Sequence, residues 1–121
     1  MGENQFSREL RLLTPSHFKF VFDNATPAVS PCFTVLARFN QLEHPRLGIT
    51  LAKKRIRQAN QRNRIKRLIR ESFRHKAQNL PYIDIIVVGK TGADKLTNQE
   101  IFATLDKLWN CLLYTSDAAD D

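Results

Sequence analysis

The sequence has little of what a metal site, a disulfide framework or a membrane span requires. Its two cysteines, Cys32 and Cys111, lie far apart and outside any CxxC spacing, so we predict neither bound zinc nor a disulfide and expect both in the core. The longest apolar stretch, near Ile83 to Val88, is much shorter than a bilayer is thick. The first residues include an acid where a signal peptide needs a positive start and an apolar run. We therefore expect a cytoplasmic protein with no membrane partner.

Groups that could carry out catalysis are also scarce. His17, His44 and His75 are scattered, and no paired-carboxylate, Cys/His or HExxH spacing occurs. No glycine-rich phosphate loop is present, which argues against nucleotide hydrolysis. Asp84 lies in a predicted buried strand, where a position near the strand start or a hydrogen bond explains it better than metal ligation does. The sequence thus predicts no protein active site and no metal or cofactor bound by the protein.

Acidic residues are rare where basic residues are densest. The chain of 121 residues carries a net charge of +7 and suits one small domain. The segment from Lys53 to Lys76 holds eleven Lys or Arg and a single acid, Glu71, a net +10 that leaves −3 for the rest of the chain. Charge concentrated in this way is typical of a surface that follows a phosphate backbone, so the expected partner is a nucleic acid.

Hydrophobic patterning predicts a single α+β domain with the element order α-β-β-α-β-α. Proline at a first helical position predicts the first helix, and alternating apolar residues predict two strands joined as an antiparallel hairpin. A nearly continuous apolar run predicts a central strand covered on both faces. The predicted elements are helix 15–23, loop 24–31, strands 32–40 and 47–52, helix 60–76 and strand 82–89.

The end of the chain combines a helix start with a tail of different character. Thr97-Asn98-Gln99-Glu100 is a capping-box pattern, in which the Thr97 and Glu100 side chains each accept from the other residue's backbone N–H. We therefore predict that the last helix begins there. Residues 114–121 are small, polar and acidic and lack the preceding periodicity, which predicts a domain over 1–113 followed by a disordered or non-native acidic tail.

The basic segment has helical periodicity with two unlike sides. At about 100° per residue, an apolar side contains Ile65, Leu68, Ile69, Ser72 and Phe73, and the opposite side contains Asn63, Lys66, Arg67, Arg70 and Arg74. A helix spaces such cations roughly 5 to 6 Å apart, close to the phosphate repeat of a nucleic-acid strand. The candidate nucleic-acid contacts are Lys53, Lys54, Arg57, Arg62, Asn63, Arg64, Lys66, Arg67 and Arg70.

One stretch of this helix also carries a family resemblance. Arg62-Asn63-Arg64, within Arg-Asn-Arg-Ile-Lys-Arg-Leu-Ile-Arg-Glu, resembles the signature helix of the bacterial ribonuclease P protein family. As in that family, it follows a strand that ends Gly48-Ile49-Thr50-Leu51-Ala52-Lys53-Lys54. The resemblance extends from about Phe6 to Trp109, and the spacing between its parts also fits. The match is therefore more specific than a lone short motif.

The resemblance implies a ribosomal-protein-like α/β sandwich with a left-handed βαβ crossover around the basic helix. It also implies a subunit that binds the catalytic RNA of ribonuclease P and the 5′ leader of precursor tRNA, while the RNA and its bound Mg²⁺ perform the cleavage. Phe18, Phe22 and Phe33 match aromatic positions of the leader cleft, and aromatic residues at helical spacing equally fit a core. The family commonly ends its last helix with basic residues, and the acidic end of this chain departs from that pattern.

Three other interpretations stay open at this point. A merely solvated charged face usually mixes signs to form i,i+4 ion pairs, whereas this one has Glu71 alone. A general RNA-binding or ribosomal protein would share the basic helix and bind RNA without promoting leader cleavage. A DNA-binding regulator could place the helix in a major groove, but the helix follows a strand and lacks the preceding short helix and turn. We therefore expect RNA, and not DNA, as the partner.

Overall fold

The computed structural model describes residues 21, 26–39, 45–77 and 83–120. The elements are strands β1 (Thr26–Val29), β2 (Phe33–Phe39) and β3 (Arg46–Leu51), helix α1 (Ala59–Lys76), strand β4 (Ile83–Gly89), a 3₁₀ turn (Ala93–Lys95) and helix α2 (Asn98–Asp120). The predicted α+β class is confirmed. The predicted helix 15–23 lies outside the described residues except for Val21, which is helical.

The four strands form one mixed sheet in the order β1-β2-β4-β3. Strand β2 is antiparallel to both of its neighbours, whereas β3 is parallel to β4, with Leu47 opposite Ile85. The predicted hairpin between β2 and β3 is therefore wrong, because β4 lies between them. Strand β4 has neighbours on both sides, and its residues 83–87 are all buried, as expected for an apolar run covered on both faces.

The predicted loop 24–31 contains a strand that the patterning missed. Strand β1 pairs with β2 from Thr26 opposite Ala37 to Val29 opposite Thr34. It is an edge strand of only four residues, and it contains Pro27. A sheet edge tolerates proline because the outer side has no partner that needs its missing N–H. Pro27 is thus compatible with a strand at this position.

Helix α1 links the two neighbouring parallel strands β3 and β4 and completes a βαβ unit. The basic segment begins at the carboxyl end of β3 and becomes the crossover helix of that unit. The left-handedness implied by the family resemblance stays a prediction. What the topology establishes is that one end of the basic segment is tied directly to the sheet.

The main core lies between one face of the sheet and the two helices. The predicted apolar side of the basic helix is confirmed, since all five of its residues are buried against this face. The indole N–H of Trp109 on α2 donates to Ser72 Oγ on α1 at 2.8 Å, and Phe73 packs edge-on against the same indole. On the other face of the sheet, Val21 and Ile86 form a small buried cluster. One side of α1 is therefore committed to the core.

A bidentate ion pair joins β3 to β4 on the sheet face opposite the helices. Arg46 donates from Nε to Asp84 Oδ1 at 2.8 Å and from Nη2 to Oδ2 at 2.6 Å, and the Asp84 side chain is fully buried. Asp84 is the second residue of β4. The prediction of a hydrogen-bonded acid near a strand start is confirmed.

The capping box predicted at the start of the last helix is present. The Thr97 N–H donates to Glu100 Oε1 at 2.8 Å, and the Glu100 N–H donates to Thr97 Oγ1 at 3.1 Å. The helix continues to Asp120, and the disordered or non-native character expected of residues 114–121 stays a prediction. No helix among the described residues combines the length and apolar character needed to cross a membrane.

The two cysteines occupy different environments. Both are free thiols, and Cys32 is half-buried at the margin of the core. Cys111 lies exposed on α2. The predicted core position is therefore wrong for Cys111, which falls on the outer side of its helix.

Candidate nucleic-acid interface

The loop that leads into α1 is held in place by one buried apolar residue. Ile56 is fully buried in the main core although it stands in the middle of a basic run. The N–H groups of Arg55 and Ile56 both donate to the carbonyl of Ala52 at 3.0 Å, which closes a tight turn after β3. The loop is thus pinned to the core at its centre while its basic neighbours, Lys53, Lys54, Arg55 and Arg57, are exposed.

Sequence reasoning missed two features of this loop. Arg55 is as exposed as the predicted contacts on either side of it, and its place within the basic run was the available signal. Ile56 was not predicted to be buried, because a single apolar residue among cations has no periodic pattern to identify it. The space it enters is next to Gly89, where a side chain would collide with Leu51. The anchor therefore depends on a contact between residues distant in sequence.

The outer side of α1 carries exposed groups that lack partners. Asn63, Arg67 and Arg70 are exposed and Lys66 is half-buried, and none of these four side chains has a hydrogen bond or ion pair within the described part of the chain. We call the following set the basic surface: Lys53, Lys54, Arg55, Arg57, Asn63, Lys66, Arg67 and Arg70. Its members come from one rigid turn and one helix that share the same core.

The first arginine of the signature stretch faces inward. Arg62 is half-buried, and its Nη1 donates to the Ile56 carbonyl at 2.8 Å and to the Arg57 carbonyl at 2.9 Å. These bonds tie the first turn of α1 to the loop that precedes it. Arg62 was predicted to contact RNA, and the structure gives it partners inside the protein.

The second arginine is engaged still more fully. Arg64 donates from Nε to Gln61 Oε1 at 2.9 Å and from Nη1 to Asn98 Oδ1 at 2.5 Å. Its Nη2 donates to the carbonyls of Asp94 and Leu96 at 3.2 and 3.1 Å. Arg64 therefore connects α1 to the segment that runs from the 3₁₀ turn into α2, and it too was predicted to contact RNA.

The compensating acids lie toward the carboxyl end of α1. Glu71 approaches Arg74 at 3.9 Å, and Asp106 of α2 approaches Lys76 at 3.5 Å. The first turn of α1 has no acid and Gln58 provides no side-chain cap, so the positive end of the helix dipole adds to the charge of the loop. The uncompensated positive charge is consequently densest around the loop and the first half of α1, where the basic surface lies.

Of the three residues predicted to line an aromatic cleft, the structure describes one. Phe18 and Phe22 lie outside the described residues. Phe33 is fully buried in the main core, on the sheet face opposite the one where Val21 packs on Ile86. A ring without exposed surface cannot stack on a nucleotide, so Phe33 is corrected to a core residue. Its position in β2 puts it on the same face as Val35 and Ala37, toward the helices.

The chemistry of the basic surface is that of donors to anions. Arginine and lysine donate hydrogen bonds and accept none, and the guanidinium fork matches a phosphate with two bonds. Among the described residues, no group of three or more His, Cys, Asp or Glu is placed to hold a metal ion. The arrangement can therefore bind phosphates along about two turns of helix and the adjoining loop.

Comparison with known proteins decides the family. The family model described as ribonuclease P matches residues 6–113. The chain belongs to the ribonuclease P protein family. The ribonuclease P protein component of Pseudoalteromonas atlantica is 69% identical over 112 residues, which cover 93% of each chain. The ribonuclease P protein component of Pasteurella multocida is 58% identical over 104 residues, covering 86% of this chain and 87% of that one.

Solved structures of ribonuclease P proteins share the fold. The protein from Staphylococcus aureus superimposes with a TM-score of 0.80 at 29% identity, covering 84% of this chain and 94% of its own. The protein from Thermotoga maritima gives a TM-score of 0.73 at 28% identity, covering 82% and 94%. The family resemblance of the basic helix is confirmed, and the match of the family model ends where the predicted acidic tail begins.

Proposed function

We propose that this chain is the protein subunit of a ribonuclease P ribonucleoprotein and assists the endonucleolytic removal of the 5′ leader from precursor tRNA. Its direct partner in this proposal is the catalytic RNA, and its location is the cytoplasm. The observation that carries the proposal is the basic surface: mostly exposed cations that have no partner among the described residues, on a chain of the ribonuclease P protein family. Such a surface is costly to the isolated protein because its charges repel one another, and a polyanion offsets that cost.

The basic surface engages the catalytic RNA through its phosphates. Lys53, Lys54, Arg55 and Arg57 extend the row of cations on α1 beyond the helix start, so one RNA segment can meet both the loop and the helix. Each phosphate neutralised by a cation releases counterions, which makes the affinity fall as the salt concentration rises. Asn63 adds donors and acceptors for a base edge or a ribose hydroxyl.

The hydrolysis itself belongs to the RNA in this proposal. The basic surface consists of cationic side chains and one amide that donate hydrogen bonds to phosphates, so its contribution in this proposal is electrostatic. By neutralising phosphates, it stabilises the compact catalytic RNA and lowers the Mg²⁺ concentration that the RNA requires. Mg²⁺ is accordingly a cofactor held by the RNA partner.

The 5′ leader is the second RNA partner that we propose. Phe18 and Phe22 are the remaining candidates for its binding, since stacking on aromatic rings tolerates any base and contributes roughly 1 to 3 kcal/mol per base. The sheet face that Val21 covers also includes half-buried Leu36 and Val88. That face, and not the face of Phe33, is where we expect the leader.

The experiment is leader cleavage at low Mg²⁺. A precursor tRNA is incubated with this protein alone, with a bacterial ribonuclease P RNA alone, and with both. We expect efficient cleavage only by the mixture. Arg67→Ala should slow the mixture at least about tenfold, because a hydrogen-bonded charge contact contributes roughly 1.5 to 3 kcal/mol. Lys107→Ala is the matched control, since it removes one exposed cation from α2, away from the basic surface.

The outcomes separate the subunit from a general RNA-binding protein. Cleavage that is equally fast with and without the protein, at every Mg²⁺ concentration, would contradict a role in the reaction even if RNA binding were strong. Equal losses in Arg67→Ala and Lys107→Ala would show that overall charge matters and that the basic surface is not the contact. A selective loss in Arg67→Ala supports both parts of the proposal.

A further inference from the structure

Two arginines of α1 that are only three residues apart have opposite surroundings. Arg67 is exposed and has no hydrogen bond or ion pair within the described residues. Arg64 is half-buried, and its four internal hydrogen bonds use most of the five N–H donors of a guanidinium group. A guanidinium that is nearly saturated inside the protein has little left to offer a phosphate.

Three of the four acceptors of Arg64 lie outside α1. The carbonyl of Asp94 belongs to the 3₁₀ turn, the carbonyl of Leu96 follows that turn, and the side chain of Asn98 stands at the first residue of α2. Arg64 therefore supplies donors to two carbonyls and one side chain of this segment. The result is a clamp across residues 30 or more positions apart in the chain.

Besides the burial of Ile56 and Ile65, the start of α1 has few restraints. Gln58 makes no side-chain cap bond, and no acid in the first turn offsets the helix dipole. The repulsion among Lys53, Lys54 and Arg57 also favours opening of this end. Arg64 fixes the second turn of α1 to the α2 start, and Arg62 fixes the first turn to the loop carbonyls.

We propose that Arg64 is a positioning residue, which holds the amino-terminal half of α1, and with it the basic surface, in the orientation that catalytic RNA recognises. Arg62 does the same for the loop. This inference rests on the proposed function, because it assigns how the basic surface is held for that RNA. Within the signature stretch, Asn63 faces RNA while the arginines on either side of it face the protein.

The test compares Arg64→Ala with Arg67→Ala in two measurements. The first is the slope of log affinity for a bacterial ribonuclease P RNA against log salt concentration, taken well below the unfolding temperature. The second is the midpoint of thermal unfolding. Arg67→Ala should reduce the magnitude of the slope by about 0.7 to 0.9, the loss of one phosphate contact, and leave the midpoint unchanged. Arg64→Ala should lower the midpoint by about 4 °C or more and shift affinity equally at every salt concentration, with the slope unchanged.

Two further variants keep the test decisive if Arg64→Ala does not fold. Asn98→Ala removes an uncharged, exposed partner of the clamp and should lower the RNA affinity without changing the slope. Arg64→Lys keeps the charge and loses the fork. We expect Arg64→Lys to behave like Arg64→Ala. If Arg64 instead contacted a phosphate, the lysine variant would retain most of the salt slope and of the RNA affinity.

The proposal is overturned if Arg64→Ala or Arg64→Lys reduces the salt slope as Arg67→Ala does while the unfolding midpoint stays at the wild-type value. It is also overturned if Asn98→Ala changes neither the midpoint nor the RNA affinity. Failure of the proposed function has a different signature, because the wild-type protein would then show no salt-dependent affinity for the RNA. In that event the Arg64 clamp is tested by thermal unfolding alone. Arg64→Ala and Asn98→Ala should each lower the midpoint, and their effects should be non-additive in the double variant.

Discussion

The two sides of helix α1 differ in how their interactions are completed. On the inner side, Ile65, Ile69 and Phe73 are fully buried, and the polar Ser72 has the indole N–H of Trp109 as its partner. On the outer side, Arg67 and Arg70 are exposed, and within the described residues they have no partner. The inner side is complete within the protein, whereas the outer side leaves its donors available to a polyanion.

This difference shows how one helix can serve both folding and recognition. The apolar residues supply the burial that holds the helix on the sheet, so the charges outside need not contribute to stability. Substitutions on the inner side should therefore change unfolding, and substitutions on the outer side should change RNA binding. The predictions below test that separation, from the largest expected effect on stability to the smallest.

Phe73→Ala should have the largest effect. The ring is fully buried and packs edge-on against Trp109, so its removal leaves a cavity at the junction of α1 and α2. We expect the free energy of unfolding to fall by about 3 to 5 kcal/mol, as for other buried aromatic truncations. Urea denaturation measures it. A loss below about 1 kcal/mol would contradict the inner side as the main support of the helix.

Ser72→Ala should have an intermediate effect. The substitution removes the acceptor of the buried Trp109 N–H, which then lacks its partner at 2.8 Å. An unsatisfied buried donor costs about 1 to 3 kcal/mol, so denaturation should show a loss in that range. Trp109→Phe made in the Ser72→Ala background is the control. The double variant removes both partners of the hydrogen bond. The coupling energy from the double-mutant cycle, which compares the two single variants with the double variant, separates the hydrogen bond from the lost ring volume.

Thr97→Ala should have a smaller effect on the other helix. It removes the hydroxyl that accepts from the Glu100 N–H and opens the capping box of α2. The expected loss is about 1 kcal/mol in the free energy of unfolding. Thr97→Ser keeps the hydroxyl and should retain most of the stability. Equal losses in the two variants would show that the methyl group, and not the cap, is responsible.

Local patterns predicted the parts of this molecule whose causes are local. The two sides of α1 follow from side-chain spacing along one helix, and the capping box at Thr97 needs only four consecutive residues. The central position of β4 also follows from its own apolar run. Each of these features depends on chemistry within one element, which a sequence displays directly.

The features that the sequence did not reveal depend on contacts between distant segments. The parallel pairing of β3 with β4 requires a long crossover, and a short polar connection pointed instead to a hairpin with β2. The inward roles of Arg62 and Arg64 depend on carbonyls of a loop and of the α2 start. Four of the six acceptors of these two arginines are backbone carbonyls, whose positions leave no mark in residue type.

Arg70→Ala should have the smallest effect on stability and the clearest effect on recognition. The side chain is exposed on the outer side of α1 without a partner in the described part of the chain, and an exposed substitution to alanine in a helix usually changes the free energy of unfolding by less than about 0.5 kcal/mol. The variant should nevertheless bind a bacterial ribonuclease P RNA more weakly, with a salt slope smaller by about 0.7 to 0.9. Denaturation and salt-dependent affinity measured on one preparation check both statements. A stability loss comparable to that of Ser72→Ala, or an unchanged salt slope, would break the separation between the two sides of the helix, because the outer cation would then serve the fold and not the RNA.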